Sequence, residues 1–173
     1  MTTALRILLA VFAIASAAWD LHSRRIPNWL TVGAFAAGLV LQAIGFGWSG
    51  VSTGLMGVGV ALAITVPLFA LRALGGGDVK LMAATAAMTG AMPFITVFVI
   101  NAVVGGVAAI ALALYKGRLK QTLSNTGAIV SSIASGRAPH EDRPELDISR
   151  PQAITLPRGA IFGVCALLVA FWG

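Results

Sequence analysis

The chain has 173 residues, of which 58% are hydrophobic and only 10% charged, against roughly 45–50% and 25% in an average soluble domain. With a mean hydropathy of +0.90, this balance excludes an ordinary water-soluble domain and predicts an all-α, polytopic membrane protein. The formal net charge of +6 reads as the Lys and Arg excess of cytoplasmic loops rather than as a nucleic-acid footprint. The single cysteine, Cys165, rules out an intrachain disulfide framework or a paired-cysteine zinc site.

At about 20 residues per span, the length accommodates about six transmembrane helices and one sizeable loop, forming a single membrane domain over 1–173. The first apolar run extends from about Ala4 to Trp19. Ala15-Ser16-Ala17 also has the small-residue pattern of a signal-peptidase site, but cleavage there would invert the charge bias derived below, so the segment is read as a retained helix. A short polar loop, Asp20 to Asn28, follows, and Pro27 suits the opening of a new helix. Helix two is expected from about Trp29 to Ile44 and helix three from about Val51 to Leu71, separated by the glycine-rich turn Gly45 to Gly50. Gly54, Gly57 and Gly59 offer small faces for close helix packing.

The apolar sequence from Val79 to Tyr115 is too long for one crossing, and Thr89-Gly90-Ala91-Met92-Pro93 is its natural break. A short helix over about 79–91, with a re-entrant hairpin as the alternative, and a full helix over about 94–115 are predicted. From 116 to 157 the composition becomes polar. Leu119, Leu123, Thr126, Val130 and Ile133 recur at helical spacing behind Lys116, Arg118 and Lys120, the pattern of an amphipathic helix on the cytoplasmic membrane surface. A charged loop then carries Glu141, Asp142, Glu145 and Asp147, and the last helix begins at about Ile154 or Arg158 and ends at Trp172.

With the N-terminus outside the cytoplasm, six crossings put every Lys and Arg except Arg6 on the cytoplasmic side, as the positive-inside tendency requires. Trp19, Trp29, Trp48, Tyr115 and Trp172 fall at span ends, matching an aromatic belt.

Outside the polar segment, the only acids are Asp20 and Asp78. A carboxylate within a membrane span costs about 2.5–3.5 kcal/mol on insertion scales and marks function when it is retained. Both fall at the cytoplasmic ends of their helices. Two carboxylates brought together share one proton: one takes a proton from an attacking water and the other protonates the departing group, a route that requires neither metal nor cofactor. The glycines Gly75, Gly76 and Gly77 before Asp78 would let a substrate backbone approach and allow unusual backbone angles. The competing reading is structural, with Asp78 capping its helix and Asp20 pairing with Arg24 or Arg25. Lys80 reads as a snorkelling interface residue or as a neighbour that tunes Asp78. The residues alone leave both readings open.

Asp20 followed by Arg24-Arg25-Ile26-Pro27-Asn28, then Gly75-x-Gly77-Asp78-Val79-Lys80-Leu81, and a late Leu156-Pro157-x-Gly159-Ala160 together resemble the type IV prepilin peptidases, membrane aspartic proteases of the GxGD type. The resemblance runs from the first helix to the last. It implies that Asp20 and Asp78 are catalytic, that Gly75, Gly77, Lys80, Arg24, Pro27 and Asn28 support the site or the substrate, and that no cofactor is used. The implied substrates are prepilins or pseudopilins, cleaved at the cytoplasmic face of the bacterial inner membrane after a short basic leader. Longer relatives carry a cytoplasmic insert with two cysteine pairs and also methylate the new pilin N-terminus. With no such insert here, methylation is not expected, and the short form resembles the dedicated peptidases of tight-adherence (Flp-type) pilus systems. His22 stands where many relatives have arginine, and Arg158 where tyrosine is common. Two readings from other classes are a small proton-coupled transporter, whose acids would sit nearer the midplane, and a non-catalytic assembly protein of a pilus or secretion machine.

Overall fold

The computed structural model describes residues 1–23, 26–71, 74–115, 127 and 158–172, and the segments described are almost entirely helical, with no strand among them. The helices are α1 (Thr3–Ser23), α2 (Asn28–Ala70), α3 (Gly76–Thr89), α4 (Ala91–Tyr115) and α5 (Arg158–Trp172). Among the described residues, three helices are long and apolar enough to cross a membrane: Thr3–Ser23, Asn28–Ala70 and Ala91–Leu112. At 1.5 Å per residue, α3, with 14 residues, reaches only about 21 Å, less than the roughly 30 Å of a hydrocarbon core.

The long α2 is not straight. Gly47 takes φ 62° and ψ −144° inside it, a left-handed backbone that a residue with a Cβ rarely adopts, and the chain doubles back there. A Cβ at Gly50 would strike the Gln42 carbonyl, and one at Gly54 would lie 2.9 Å from Leu39 Cδ2, so the arms 28–46 and 48–70 lie side by side. The expected turn over Gly45 to Gly50 is therefore a single glycine break. Trp48, just past it, is almost fully exposed, as an interfacial anchor would be.

α3 lies against both arms and is the most enclosed of the helices. Every residue from Ala84 to Gly90 is buried. Glycines on α2 make the approach possible: a Cβ at Gly38 would lie 2.8 Å from Met88 Cγ, one at Gly54 2.8 Å from the Ala87 carbonyl oxygen, and one at Gly57 2.5 Å from the Ala86 carbonyl oxygen. Without a hydrophobic drive between helices in lipid, such backbone proximity supplies the packing. Gly59 does not share this role, because a Cβ placed there would have no neighbour within 4 Å among the described residues; its side of the helix is turned away from α3. The buried Gln42 amide donates to the Met88 carbonyl at 3.0 Å, satisfying an acceptor that the end of α3 would otherwise leave unpaired. Gly90, at φ 82°, then turns the chain into α4, as the Thr89 to Pro93 break predicts.

Leu5, Leu9, Phe12, Leu81, Met88, Phe94, Val97, Phe162 and Cys165 form the common core, with α5 packed on α1 and α4. Cys165 is a buried hydrophobe there. α1 outlasts its predicted end: Asp20 to Ser23 remain helical, and the Ser23 hydroxyl donates to the Trp19 carbonyl at 3.0 Å. No glycine or proline interrupts the chain before Pro27, so Asp20 sits in a helical turn rather than in a loop. The amphipathic helix and acidic loop expected over 116–157 lie outside the described residues, apart from the isolated helical Gly127.

The two glycines make opposite predictions. Gly57→Ala should destabilise the folded chain by about 1–3 kcal/mol through overpacking against α3. Gly59→Ala should be neutral or stabilising by up to about 1 kcal/mol, through helix propensity alone. Thermal unfolding of both variants in detergent checks this.

Candidate active site

The buried residues of α1, Leu5, Leu9, Phe12, Ala13 and Ser16, follow helical spacing, and continuing the stripe by one turn reaches Asp20. Its carboxylate meets the start of α5, where the Gly159 amide donates to Asp20 Oδ2 at 2.9 Å. The first amides of a helix lack intrahelical partners and point outward along the positive end of its dipole, which makes this a natural place for a carboxylate. Only glycine fits the contact closely: a Cβ at position 159 would lie 3.0 Å from Asp20 Oδ2 and 3.1 Å from its Cβ. The alternative expectation, that Asp20 pairs with Arg24 or Arg25, falls on residues outside those described.

Asp78 occupies the first turn of α3. The N-cap is Gly75, with φ −79° and ψ 148°, so Asp78 stands three residues inside the helix rather than at the N-cap position. The Gly75 carbonyl accepts from the Asp78 and Val79 amides at 3.1 and 3.3 Å. Asp78 Oδ2 would lie 3.4 Å from a Cβ on Gly75, which shows the carboxylate leaning back over the cap. The unusual backbone angles anticipated for the glycine run are not realised. Among the described residues, positive φ occurs at Gly47 and Gly90, while Gly75 is extended and Gly76 and Gly77 are helical. What the run supplies is space. A Cβ on Gly76 would meet the Phe69 ring at 3.3 Å, whereas none of the described residues lies within 4 Å of one on Gly77.

The two aspartate-bearing segments meet at one end of the bundle. Trp19, beside Asp20, packs edge-on against Trp29 with ring centroids 5.7 Å apart. Next to Trp29, the Asn28 Oδ1 accepts a hydrogen bond from Lys80 Nζ at 2.8 Å, two residues beyond Asp78. Lys80 is thus anchored to the start of α2, a contact that neither expected role for it included. Pro27 stands at the N-cap of α2, φ −68° and ψ 141°, one position earlier than a first-turn proline, and its carbonyl accepts from the Leu30 and Thr31 amides. His22 is exposed. Arg24 lies outside the described residues.

Two features of the site go beyond the roles read from the sequence. One is the Gly159 amide as the partner of Asp20: the Leu156-Pro157-x-Gly159-Ala160 motif marks the glycine but not what its amide meets. The other is Ser16, four residues before Asp20 on the buried stripe and itself completely buried.

A family model, the type IV leader peptidase family, matches residues 7–110, well over half of the chain and a stretch that includes both aspartates. The chain belongs to the type IV leader peptidase family. A search of curated proteins and a search of solved structures return no match. Membership makes the protein a peptidase of the class that acts on pilin precursors in a membrane setting, in keeping with its long apolar helices. α5, which supplies the Gly159 amide, lies beyond the matched residues.

Two glycine substitutions separate the roles of the site's glycines. Gly159→Ala should lengthen or break the Asp20 contact and lower leader cleavage about tenfold or more, about 1.4 kcal/mol on the barrier. Gly77→Ala meets no neighbour among the described residues and should insert and fold normally, so any loss of cleavage in it reports on substrate approach. Cleavage rates per folded chain, with unfolding followed in parallel, distinguish the two.

Proposed function

We propose that the chain is an aspartic endopeptidase that removes the short basic leader of type IV prepilins or pseudopilins, with Asp20 and Asp78 as its acid and base. The observation that carries this reading is the convergence of the two aspartate-bearing segments at one end of the bundle. They are linked there by the Lys80 to Asn28 hydrogen bond and the Trp19 to Trp29 contact, in a chain of the leader peptidase family.

In this scheme one carboxylate accepts a proton from water as the water oxygen bonds to the scissile carbonyl carbon. The protonated partner then gives its proton to the departing amine as the carbon–nitrogen bond breaks. The two carboxyls exchange states over a turnover, and neither forms a covalent bond to substrate. Gly75 and Gly77 leave room for an extended substrate beside Asp78. Pro27 and Asn28 border the approach from the start of α2, and Arg24 keeps the supporting role that the family resemblance implies. N-methylation is not part of the scheme.

The same reading treats 1–173 as one membrane unit with six crossings: α1, the two arms of α2, α3, α4 and α5. The reversal at Gly47 supports counting α2 twice, while the shortness of α3 means that it crosses only within the shelter of its neighbours. The N-terminus then lies outside the cytoplasm, and the aspartates face the cytoplasmic side of the bacterial inner membrane. A proton-coupled transporter would hold its acids nearer the middle of the bundle, whereas Asp20 is in the last turn of α1 and Asp78 in the first turn of α3.

Asn keeps the size and polarity of Asp but cannot exchange the proton. Co-expression of a prepilin from the same organism with the wild-type, Asp20→Asn and Asp78→Asn chains should give a leaderless pilin only with the wild type. Each substitution should lower cleavage at least about 10²–10⁴-fold. Mass spectrometry of the pilin N-terminus reads the result. Continued processing by either inserted variant would remove the aspartic mechanism and favour an assembly role.

A further inference from the structure

The Ser16 hydroxyl, one helical turn before Asp20, is a buried polar group that the catalytic scheme leaves unused. Its residue is completely buried, and its Oγ finds no hydrogen-bond partner among the described residues. An unpaired buried hydroxyl is unfavourable, so its position calls for a reason. Other hydroxyls in these helices avoid the problem by donating to the carbonyl four residues back: Ser23 to Trp19, Thr65 to Ala61, Thr89 to Thr85 and Thr96 to Met92. Ser16 does not use the corresponding carbonyl of Phe12.

Its location suggests what it is held for. Ser16 precedes Asp20 by one helical turn on the same buried stripe, and residues four apart on a helix are neighbours, with Cβ atoms about 5–6 Å apart. Helical side chains lean toward the N-terminus, over the preceding turn, so the Asp20 carboxylate leans toward Ser16. α5 closes the seam on both sides of this position. Gly159 touches Asp20, and a Cβ on Gly163 would lie 3.1 Å from the Ala13 carbonyl oxygen. The Gly159 amide engages Asp20 Oδ2, which leaves Oδ1 for a second donor.

We propose that Ser16 is a positioning residue for Asp20: its hydroxyl donates to Oδ1, directly or through one bound water, and with the Gly159 amide fixes the plane of the carboxylate. The inference rests on the catalytic role proposed for Asp20. Two donors on the two oxygens leave the carboxylate one orientation, and alignment of the reacting group is a large part of the rate of any acid–base step. Nothing is oxidised, reduced or transferred by Ser16.

The test uses the full chain in detergent with the prepilin that the wild type processes, and measures kcat, KM and Tm for Ser16→Ala and Ser16→Thr. A hydroxyl that serves Asp20 predicts that Ser16→Ala lowers kcat about ten- to a hundredfold, with KM within about twofold and little change in Tm, since the smaller side chain leaves the helix packing in place. Ser16→Thr keeps the hydroxyl and should retain kcat within a few-fold of wild type, even if its extra methyl lowers Tm. The two variants therefore separate activity from stability in opposite directions, which a packing role would not do. Full kcat in Ser16→Ala, or equal loss of kcat in both variants, overturns the proposal while leaving the catalytic aspartates untouched. Retained cleavage by Asp20→Asn would instead strike the reading beneath it.

Discussion

The close approach of the α2 backbone to α3 is the constraint on which the site depends. Three glycines on α2, Gly38, Gly54 and Gly57, bring its two arms within backbone distance of Ala86, Ala87 and Met88, and α3 is enclosed as a result. In lipid, where apolar side chains gain little by leaving one hydrocarbon surrounding for another, this kind of packing is what holds helices together. A helix of 14 residues is too short to define its own depth. Its depth is set at both ends: Gln42 holds the Met88 carbonyl, and Asn28 holds Lys80. Asp78, in the first turn, inherits its position from these contacts.

Asp20 reaches the same end of the bundle by another route. α1 is long enough to span by itself, and its last turn carries Asp20 onto the opening amides of α5. The two acids thus occupy similar electrical surroundings, each beside the positive end of a helix: α5 for Asp20 and α3 for Asp78. This symmetry arises from unrelated segments and from different kinds of contact. It also makes α5 part of the site, although the family match ends before it.

Much of the fold follows from local rules that need no partner. Runs of apolar residues of spanning length mark α1 and α4, while a glycine or a proline marks where one helix must end. The break between α3 and α4 falls at Gly90 because only glycine readily takes φ 82°, and the reversal in α2 falls at Gly47 for the same reason. Asp20 and Asp78 stand out because acids are scarce in an oily chain. The departures have physical causes too. α1 continues through Ser23 since nothing stops it before Pro27, and Gly59 faces away from α3 because helical rotation puts it off the stripe that holds Gly54 and Gly57. The glycines at 75 to 77 serve for space rather than for unusual angles.

By itself, then, the order of residues determined the class of the protein, the helices and their breaks, and which two carboxylates to watch, because hydropathy, backbone freedom and residue scarcity are properties of a chain read locally. Only the tertiary structure decided which amide meets Asp20, what anchors Lys80, and which glycines face α3. It also left the Ser16 hydroxyl buried without a partner among the described residues. These depend on contacts between residues as far apart as Asp20 and Gly159, whose pairing is set by how the helices pack and by nothing in the sequence near either one.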